Sequence, residues 1–340
     1  MVTQNIWVVS LGGLVALALL VLSANQAVKR LIGIASYFNL SSTFMGMTIV
    51  SVATSIPEIT AHLTASTNIL RGTLDYEIGS SVVLGANIGS DVVQQTLIMG
   101  IVVFMAGQLY FRRYLLWKSI MPMIGAAILC NILGWDRVYS RLDGAILLGT
   151  FVAYNYFLYV DERKHYKQED NVHDDEDVAE GVPQNGKEAI RDAVLSILFL
   201  TVTVISAGFV LSLTENIVQR TGIGGSLIGV VTLGVASALP ELTTAIAGIG
   251  KKEHGISLGT LIGSNITNPL AAIGGGAILS TYWVPRPLVL WDLPWQAMTG
   301  AILWVILWFS KGKLNRYAAV YLMIFYVLYI TLRATFFSVD

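Results

Sequence analysis

The stretch GMTIVSVATSIPEIT, Gly46 to Thr60, returns 183 positions later as GVVTLGVASALPELT, Gly229 to Thr243. Six of the fifteen positions are identical: the Gly, a Val-Ala pair, the Pro-Glu pair and the final Thr. Each copy sets a proline and then a glutamate, Pro57-Glu58 and Pro240-Glu241, inside an apolar run. A carboxylate in hydrocarbon is costly and marks an ion or substrate path. A neighbouring proline breaks the helix at that depth.

Working outward, the 340 residues are 54% hydrophobic and 13% charged, about half the charge of an ordinary soluble domain. The chain therefore reads as an all-α membrane protein. A net charge of −1 offers no basic surface to nucleic acid. The single cysteine, Cys130, excludes an intramolecular disulfide and is expected to pack in the interior. The first apolar run, Ile6 to Leu22, lacks a basic leader and a cleavage site, so it is expected to be a membrane helix rather than a signal peptide.

Ten apolar runs are long enough to span. The first five are Ile6–Leu22, Phe44–Leu70, Gly79–Met105, Leu115–Leu133 and Leu142–Val160. The second five are Ala193–Leu213, Ser226–Ile249, Ile256–Leu279, Pro294–Phe309 and Tyr317–Leu332. Between them lies a polar stretch, residues 161–190, with the acid cluster Asp174-Asp175-Glu176-Asp177. It matches no EF-hand spacing and is expected to be a solvated linker. Of the 21 Lys and Arg residues, fifteen fall in alternate loops that include the linker, and six fall on the other side. The excess places the linker in the cytoplasm and both termini outside. Five spans per half is an odd number, so the second half (residues 191–340) enters the membrane upside down relative to the first (residues 1–160). The expectation is ten transmembrane helices as two inverted five-helix repeats, with a site where the repeats meet.

A second motif follows each Pro-Glu stretch. LGANIGSDVVQ, Leu84 to Gln94, aligns with LGTLIGSNITN, Leu258 to Asn268, at an offset of 174. Gly85/Gly89 and Gly259/Gly263 are small-residue pairs that either let helices approach closely or open the backbone towards an ion. Ser90 and Gln94 lie four apart, as do Ser264 and Asn268, so each pair shares a helix face. Ser51, Thr54, Ser55 and Glu58 likewise form a polar stripe, matched by Gly234, Ser237, Ala238 and Glu241. A lone Ser or Thr at such a place commonly bonds its own backbone; a repeated stripe ending in a glutamate argues for more. Asp91 neighbours Ser90 and is expected to point away from the Ser90–Gln94 face.

Carboxylates, hydroxyls, amides and freed carbonyls are hard-cation ligands, and two glutamates balance one divalent ion. Pro57 and Pro240 free the carbonyls near Ala53 and Ala236. No Lys or Arg lies within either motif to neutralise the glutamates. His62 follows Glu58 by one helical turn, and its counterpart is Ala245. It is expected to pack near the outer end of its helix, while a histidine there keeps proton coupling open. A channel or an ion sensor is a weaker reading, because the two halves already complete a site within one chain, which is expected to act as a monomer. An enzyme is not expected: there is no His-Glu-x-x-His motif and only four histidines.

These residues resemble a known family. GMTIVSVATSIPE and GVVTLGVASALPE, each followed by an Ile-Gly-Ser segment, are similar to the two alpha-repeats (here 46–94 and 229–268) of the cation/calcium exchanger superfamily, the sodium/calcium exchangers in particular. The resemblance implies antiport of Ca2+ against Na+ by alternating access at a midplane site, with the first and sixth helices sliding over a core, and no cofactor beyond the transported ions. The same fold exchanging Ca2+ against H+ is the alternative. Carried over by position, Glu58 and Glu241 would ligate calcium. Thr54 and Ser237 would add oxygens, and Ser51, Ser55, Ser90 and Ser264 would serve sodium. Gln94 and Asn268 would hold the central amide or acid positions. The chain departs from the family pattern in having neither Gln94 nor Asn268 acidic, and in having Ala238 where a Ser is usual.

Overall fold

In hydrocarbon an apolar run can satisfy its backbone only by coiling on itself. The computed structural model, which describes residues 6–36, 46–111, 116–165, 183–250 and 254–340, is correspondingly helical. Phe44, Leu115, the loop residues Arg112, Arg113, Lys167, Lys251 and Lys252, and the acid cluster Asp174 to Asp177 lie outside the described residues.

Helix α1 is Ile6–Ser36. Helix α2, residues 46–70, joins the pieces Gly46–Val50, Ser51–Thr54 and Ile56–Leu70. Then come α3 (Tyr76–Ala106), α4 (Leu116–Leu133) and α5 (Arg141–His165). The second half opens with α6 (Gly186–Thr221) and α7 (Gly225–Gly250). Helix α8, residues 254–280, joins His254–Thr267, Asn268–Ile273 and Gly274–Ser280. Helices α9 (Leu288–Phe309) and α10 (Arg316–Phe336) complete it. Among the described residues, six helices are long and apolar enough to cross a membrane: α3, α4, α6, α7, α9 and α10. Two short strand pairs clasp the ends. In one, β1 (Gln108–Tyr110) pairs antiparallel with β4 (Lys313–Asn315). In the other, β2 (Val138–Tyr139) pairs antiparallel with β3 (Tyr282–Trp283).

Local chemistry sets several boundaries. Asp75 accepts from the Ile78 N–H at 2.9 Å and caps α3. Asn185 accepts from Glu188 N–H at 3.0 Å, while Glu188 accepts from Gln184 N–H at 2.9 Å, so α6 begins on a reciprocal cap. Gly222, at φ +68°, ends α6 in the left-handed region. Helix α5 runs on to His165 and α6 starts at Gly186, so both reach into the stretch expected to be linker. Asp161 is held there by an ion pair with Lys118 of α4.

The motif helices are the interior. The most apolar windows of α3 and α7 are 78% and 72% buried, against 22% for α10. A Cβ on Gly85 would stand 2.2 Å from the Ser226 carbonyl oxygen, and one on Gly89 would stand 2.7 Å from Val230 Cα. Symmetrically, one on Gly259 would meet Gly46 at 3.1 Å, and one on Gly263 would meet Ser51 Cβ at 2.7 Å. The glycines therefore serve close packing. They do not open the backbone, since α3 and α8 run unbroken through them. In both crossings contacts advance in the same sense, so α7 runs with α3 and α2 runs with α8. A tight turn through Gly72 (φ +68°) makes α2 antiparallel to α3, so the two Pro-Glu helices point in opposite directions.

Helices α1 and α6 pack on each other at the periphery. Ser23 Oγ meets Thr203 Oγ1 at 2.9 Å, the Arg30 guanidinium covers the Phe199 ring, and Gly13 faces Leu213, so the pair is antiparallel. Their outward faces, including Leu14, Leu22, Ile197 and Phe209, are exposed and apolar, as suits lipid. Arg333, one of the six cationic residues counted on the side opposite the linker, is fully buried in α10 and paired with Asp292 of α9 at 2.9 Å.

Gly85→Ala is expected to lower the melting temperature of the detergent-solubilised protein markedly, since a methyl must displace the Ser226 backbone at a cost of about 1–3 kcal/mol. Gly149→Ala, where a Cβ meets nothing within 4 Å, is the control and should leave melting unchanged or raise it. Equal melting of the Gly85 variant and the wild type would show that the crossing is not tight.

Candidate functional site

Both Pro-Glu helices break at matched points. Ser55 (φ −78°, ψ 3°) and Ala238 (φ −79°, ψ −4°) interrupt α2 and α7 immediately before the Pro-Glu turn. The cause is local: Pro57 and Pro240 lack the N–H that the carbonyls of Ala53 and Ala236 would take in an unbroken helix. Each break is preceded by a π turn, Gly46–Val50 and Val230–Gly234, and a second matched pair of π turns follows at Gln94–Ile98 and Asn268–Ile273. Such turns cluster at functional sites because they turn side chains out of helical register.

The crossings bring all ten residues expected from sequence into the buried interior. Ser51, Thr54, Ser55, Ser90, Gln94, Glu241, Ser264 and Asn268 have no exposed surface, and Glu58 and Ser237 are 3% exposed. Ser90 Oγ donates to Glu58 Oε1 at 2.8 Å. Ser237, from the other half, lies beside Glu58. Around Glu241 the arrangement is the same with the halves exchanged. Ser264 of its own half and Thr54 of the other flank it, and the two hydroxyls meet each other at 3.1 Å. Neither reaches Glu241 in good hydrogen-bond geometry, so both of its carboxylate oxygens lack a partner, as does Glu58 Oε2. The two carboxylates are close enough for their charges to repel. No Lys or Arg pairs with either one among the described residues.

The amides form a directed chain. Gln95 Nε2 donates to Asn265 Oδ1 at 2.9 Å, Asn265 Nδ2 to Gln94 Oε1 at 3.0 Å, and Gln94 Nε2 to Ser90 Oγ at 3.1 Å. Ser90 then donates to Glu58, so every link points its proton towards the carboxylate. This direction fixes which way each amide faces.

Asp91 leaves the Ser90–Gln94 face, as expected, and turns into the core, fully buried. Asn268 Nδ2 donates to its Oδ1 and Gln296 Nε2 to its Oδ2, both at 2.8 Å. A third acid therefore stands in the interior, near Glu58. Its bond to Asn268 is the counterpart of the Asn265–Gln94 bond, because positions 91 and 265 align, as do 94 and 268. With its Nδ2 on Asp91, Asn268 leaves its Oδ1 without a partner. Gln296, on α9, carries no sequence signal of this role.

Ser51 follows the bland pattern. Its hydroxyl bonds Met47 O at 2.8 Å and Thr48 O at 3.0 Å, with Thr267 Oγ1 at 3.3 Å. Ser55 Oγ is buried with no partner. Taken together, the interior offers carboxylate, hydroxyl and amide oxygens from both halves, an oxygen-only set suited to a hard cation.

Similarities to known proteins agree with this geometry. A family profile described as "Sodium/calcium exchanger protein" matches residues 8–160 and 192–335. The chain is 30% identical over 271 residues to CaxA of Alkalimonas amylolytica, whose name proposes an antiporter; the match covers 78% of this chain and 79% of that one. It is 24% identical over 360 residues to the sodium/calcium exchanger MaX1 of Methanosarcina acetivorans, covering 97% and 98%. The solved sodium-calcium exchanger NCX_Mj, soaked with 2.5 mM Na+ and 0.1 mM Ca2+, shares the fold at a TM-score of 0.62 and 22% identity, over 94% of this chain and 96% of that chain.

The Asp91 bonds can be tested by exchange. Asp91→Asn sets an amide N–H against the donor of Asn268 or Gln296 and should lower stability by about 1–3 kcal/mol. Adding Gln296→Glu restores an acceptor and should recover much of the loss in melting temperature. A double variant no more stable than the single one would refute the assignment.

Proposed function

This chain belongs to the sodium/calcium exchanger protein family, and from that premise we propose that it is a secondary antiporter exchanging Ca2+ for Na+ by alternating access. The observation that carries the proposal is the pair of opposed glutamates. Glu58 and Glu241 reach one buried locus from two oppositely directed helices, with three carboxylate oxygens unpartnered and no basic residue bonded to either among the described residues. Two negative charges ringed by neutral oxygens are matched by one divalent cation, and they repel each other without it. Glu58 and Glu241 would hold Ca2+ with Thr54 and Ser237. Ser51, Ser55, Ser90 and Ser264 would form Na+ positions around them, and Gln94 and Asn268 would lie at the centre.

In this reading the ten helices are two inverted five-helix repeats spanning the membrane. Both termini are outside and the 161–190 linker is cytoplasmic. The antiparallel α1–α6 pair, with its apolar outward face, is the part free to slide over the interior. Two acids can be satisfied by Ca2+ or by protons, so exchange of Ca2+ against H+ remains the competing outcome. The purified chain, as a monomer in liposomes, should take up Ca2+ when a Na+ gradient is imposed. A response to a pH gradient alone would decide for the proton.

Glu58→Gln and Glu241→Gln are each expected to cut Ca2+ uptake about a hundredfold or more, the ~3 kcal/mol cost of removing one charge from a buried ionic cluster. Wild-type uptake in either variant would refute the site. Asn268→Asp returns an acid to the centre, and it is expected to change the Na+ dependence of uptake, read as a shift in Hill slope or half-saturation.

A further inference from the structure

Helix α6 joins α7 through Gly222, Ile223 and Gly224 alone. A displacement of α6 is therefore either absorbed in that short connector or passed on to α7. Gly222 takes the left-handed turn at φ +68°, and Ile223 is exposed. Their backbone N–H groups reach back to α6: Gly222 donates to Val218 O at 3.0 Å and Ile223 to Thr221 Oγ1 at 3.3 Å. From Gly224 onward the partners change. Gly224 N–H donates to Ser338 O at 2.9 Å, and Ser226 N–H donates to Asp340 Oδ2 at 3.0 Å. Between Ile223 and Gly224 the hold on the backbone passes from α6 to the segment that follows α10.

Helix α7 does not begin on a side chain of its own. Its N-cap position is Gly224, which has no side chain to offer, so Asp340 supplies the missing acceptor from a distant part of the chain. Asp340 also accepts from Ser226 Oγ, and Ser226 Oγ in turn accepts from Arg333 Nη2 at 2.6 Å. Arg333 is itself held. Its Nε donates to the two Asp292 carboxylate oxygens at 3.1 and 2.9 Å, and the Tyr329 hydroxyl donates to the same carboxylate at 2.5 Å. Ser226, Asp292, Tyr329 and Arg333 have no exposed surface, so separating the ion pair would strand a buried charge. Phe337 stacks on Trp291 of α9 with ring centroids 5.3 Å apart, which keeps the segment after α10 in place. The fit is close: a Cβ on Gly224 would stand 2.7 Å from Asp340 Oδ1, and the Ser226 backbone already lies against Gly85 of α3.

We propose that Arg333 and Asp340 form a clasp that holds the first turn of α7 on the interior while α6 moves, confining the movement to residues 222–224. The movement of α6 is taken from the exchanger reading, and the clasp rests on that reading for its purpose. Both are positioning residues, because they bond to none of the ten residues placed around the ions and act through Ser226. A first turn that followed α6 would draw Ser226 off Gly85 and loosen the α3–α7 crossing, which sets Ser237 beside Glu58. With the turn clasped, a glycine and an exposed neighbour absorb the backbone change, as hinge positions do.

Hydrogen exchange at the Gly224 and Ser226 amides reads the clasp directly. In the wild-type protein in liposomes these amides should stay equally protected with Ca2+ or Na+ present. Asp340→Ala removes both acceptors from Ser226 and should speed exchange there about tenfold, the worth of one charge-assisted hydrogen bond. Asp340→Asn keeps one acceptor and should fall between. In the same liposomes Asp340→Ala should lower the maximal rate of Ca2+ uptake at least about threefold and leave the half-saturation for Ca2+ within about twofold, as expected when a conformational step is slowed and the ion ligands are untouched. Wild-type exchange or wild-type maximal rate in Asp340→Ala would overturn the proposal, as would protection of Gly224 and Ser226 that changes with the ion supplied. Absence of Ca2+ uptake in the wild type would instead overturn the exchanger reading, and the exchange comparison would still decide whether Asp340 holds α7.

Discussion

Three carboxylates, Glu58, Asp91 and Glu241, are buried in an apolar interior with no basic residue bonded to any of them among the described residues. That constraint shapes everything around them. An anion taken out of water must be met by charge or by hydrogen-bond donors. Asp91 receives two amide donors, from Asn268 and Gln296, and is fully engaged. Glu58 receives one, and Glu241 none of good geometry. The gradation separates an acid that organises its neighbours from two that leave their charge available. Where a protein merely stabilises a buried acid it supplies a cation, as it does for Asp292, which holds Arg333 and the Tyr329 hydroxyl.

The arrangement depends on backbones approaching closely. Glycines at 85, 89, 259 and 263 let each Pro-Glu helix lie on the opposite half's Ile-Gly-Ser helix. As a result each glutamate is flanked by one hydroxyl from its own half and one from the other. Neither half contains a site by itself. The proline breaks put the glutamates at the first turns of new helices, where the N-terminal N–H groups favour negative charge.

The first turn of α7 is anchored by a separate polar cluster. Arg333 Nη2 donates to Ser226 Oγ at 2.6 Å, and Ser226 N–H donates to Asp340 at 3.0 Å. This ties α9, α10 and the chain's last residues to the start of a motif helix. The same Ser226 lies against Gly85, so the anchor and the tightest helix crossing share one residue.

Much of this was legible in the chain. The repeat of Gly46–Thr60 at Gly229–Thr243, with its Pro-Glu pair, determined that the interior carries two matched acids and two matched helix breaks. Composition determined a helical membrane protein, because hydrocarbon leaves an apolar backbone few other solutions. The spacing of Ser90 with Gln94 and of Ser264 with Asn268 determined their shared faces, since helical period is a local property. Only the tertiary structure decided what those faces meet. Asp91 looked misdirected from its position next to Ser90, yet the crossing of α3 and α8 delivers Asn268 to it. Gln296 comes from a segment with no motif at all. Nothing in the sequence around Arg333 announces that α9 brings Asp292 beside it. Local pattern fixes the direction in which a side chain leaves its helix; its partner is fixed by which helix crosses there, and that depends on the packing of the whole chain.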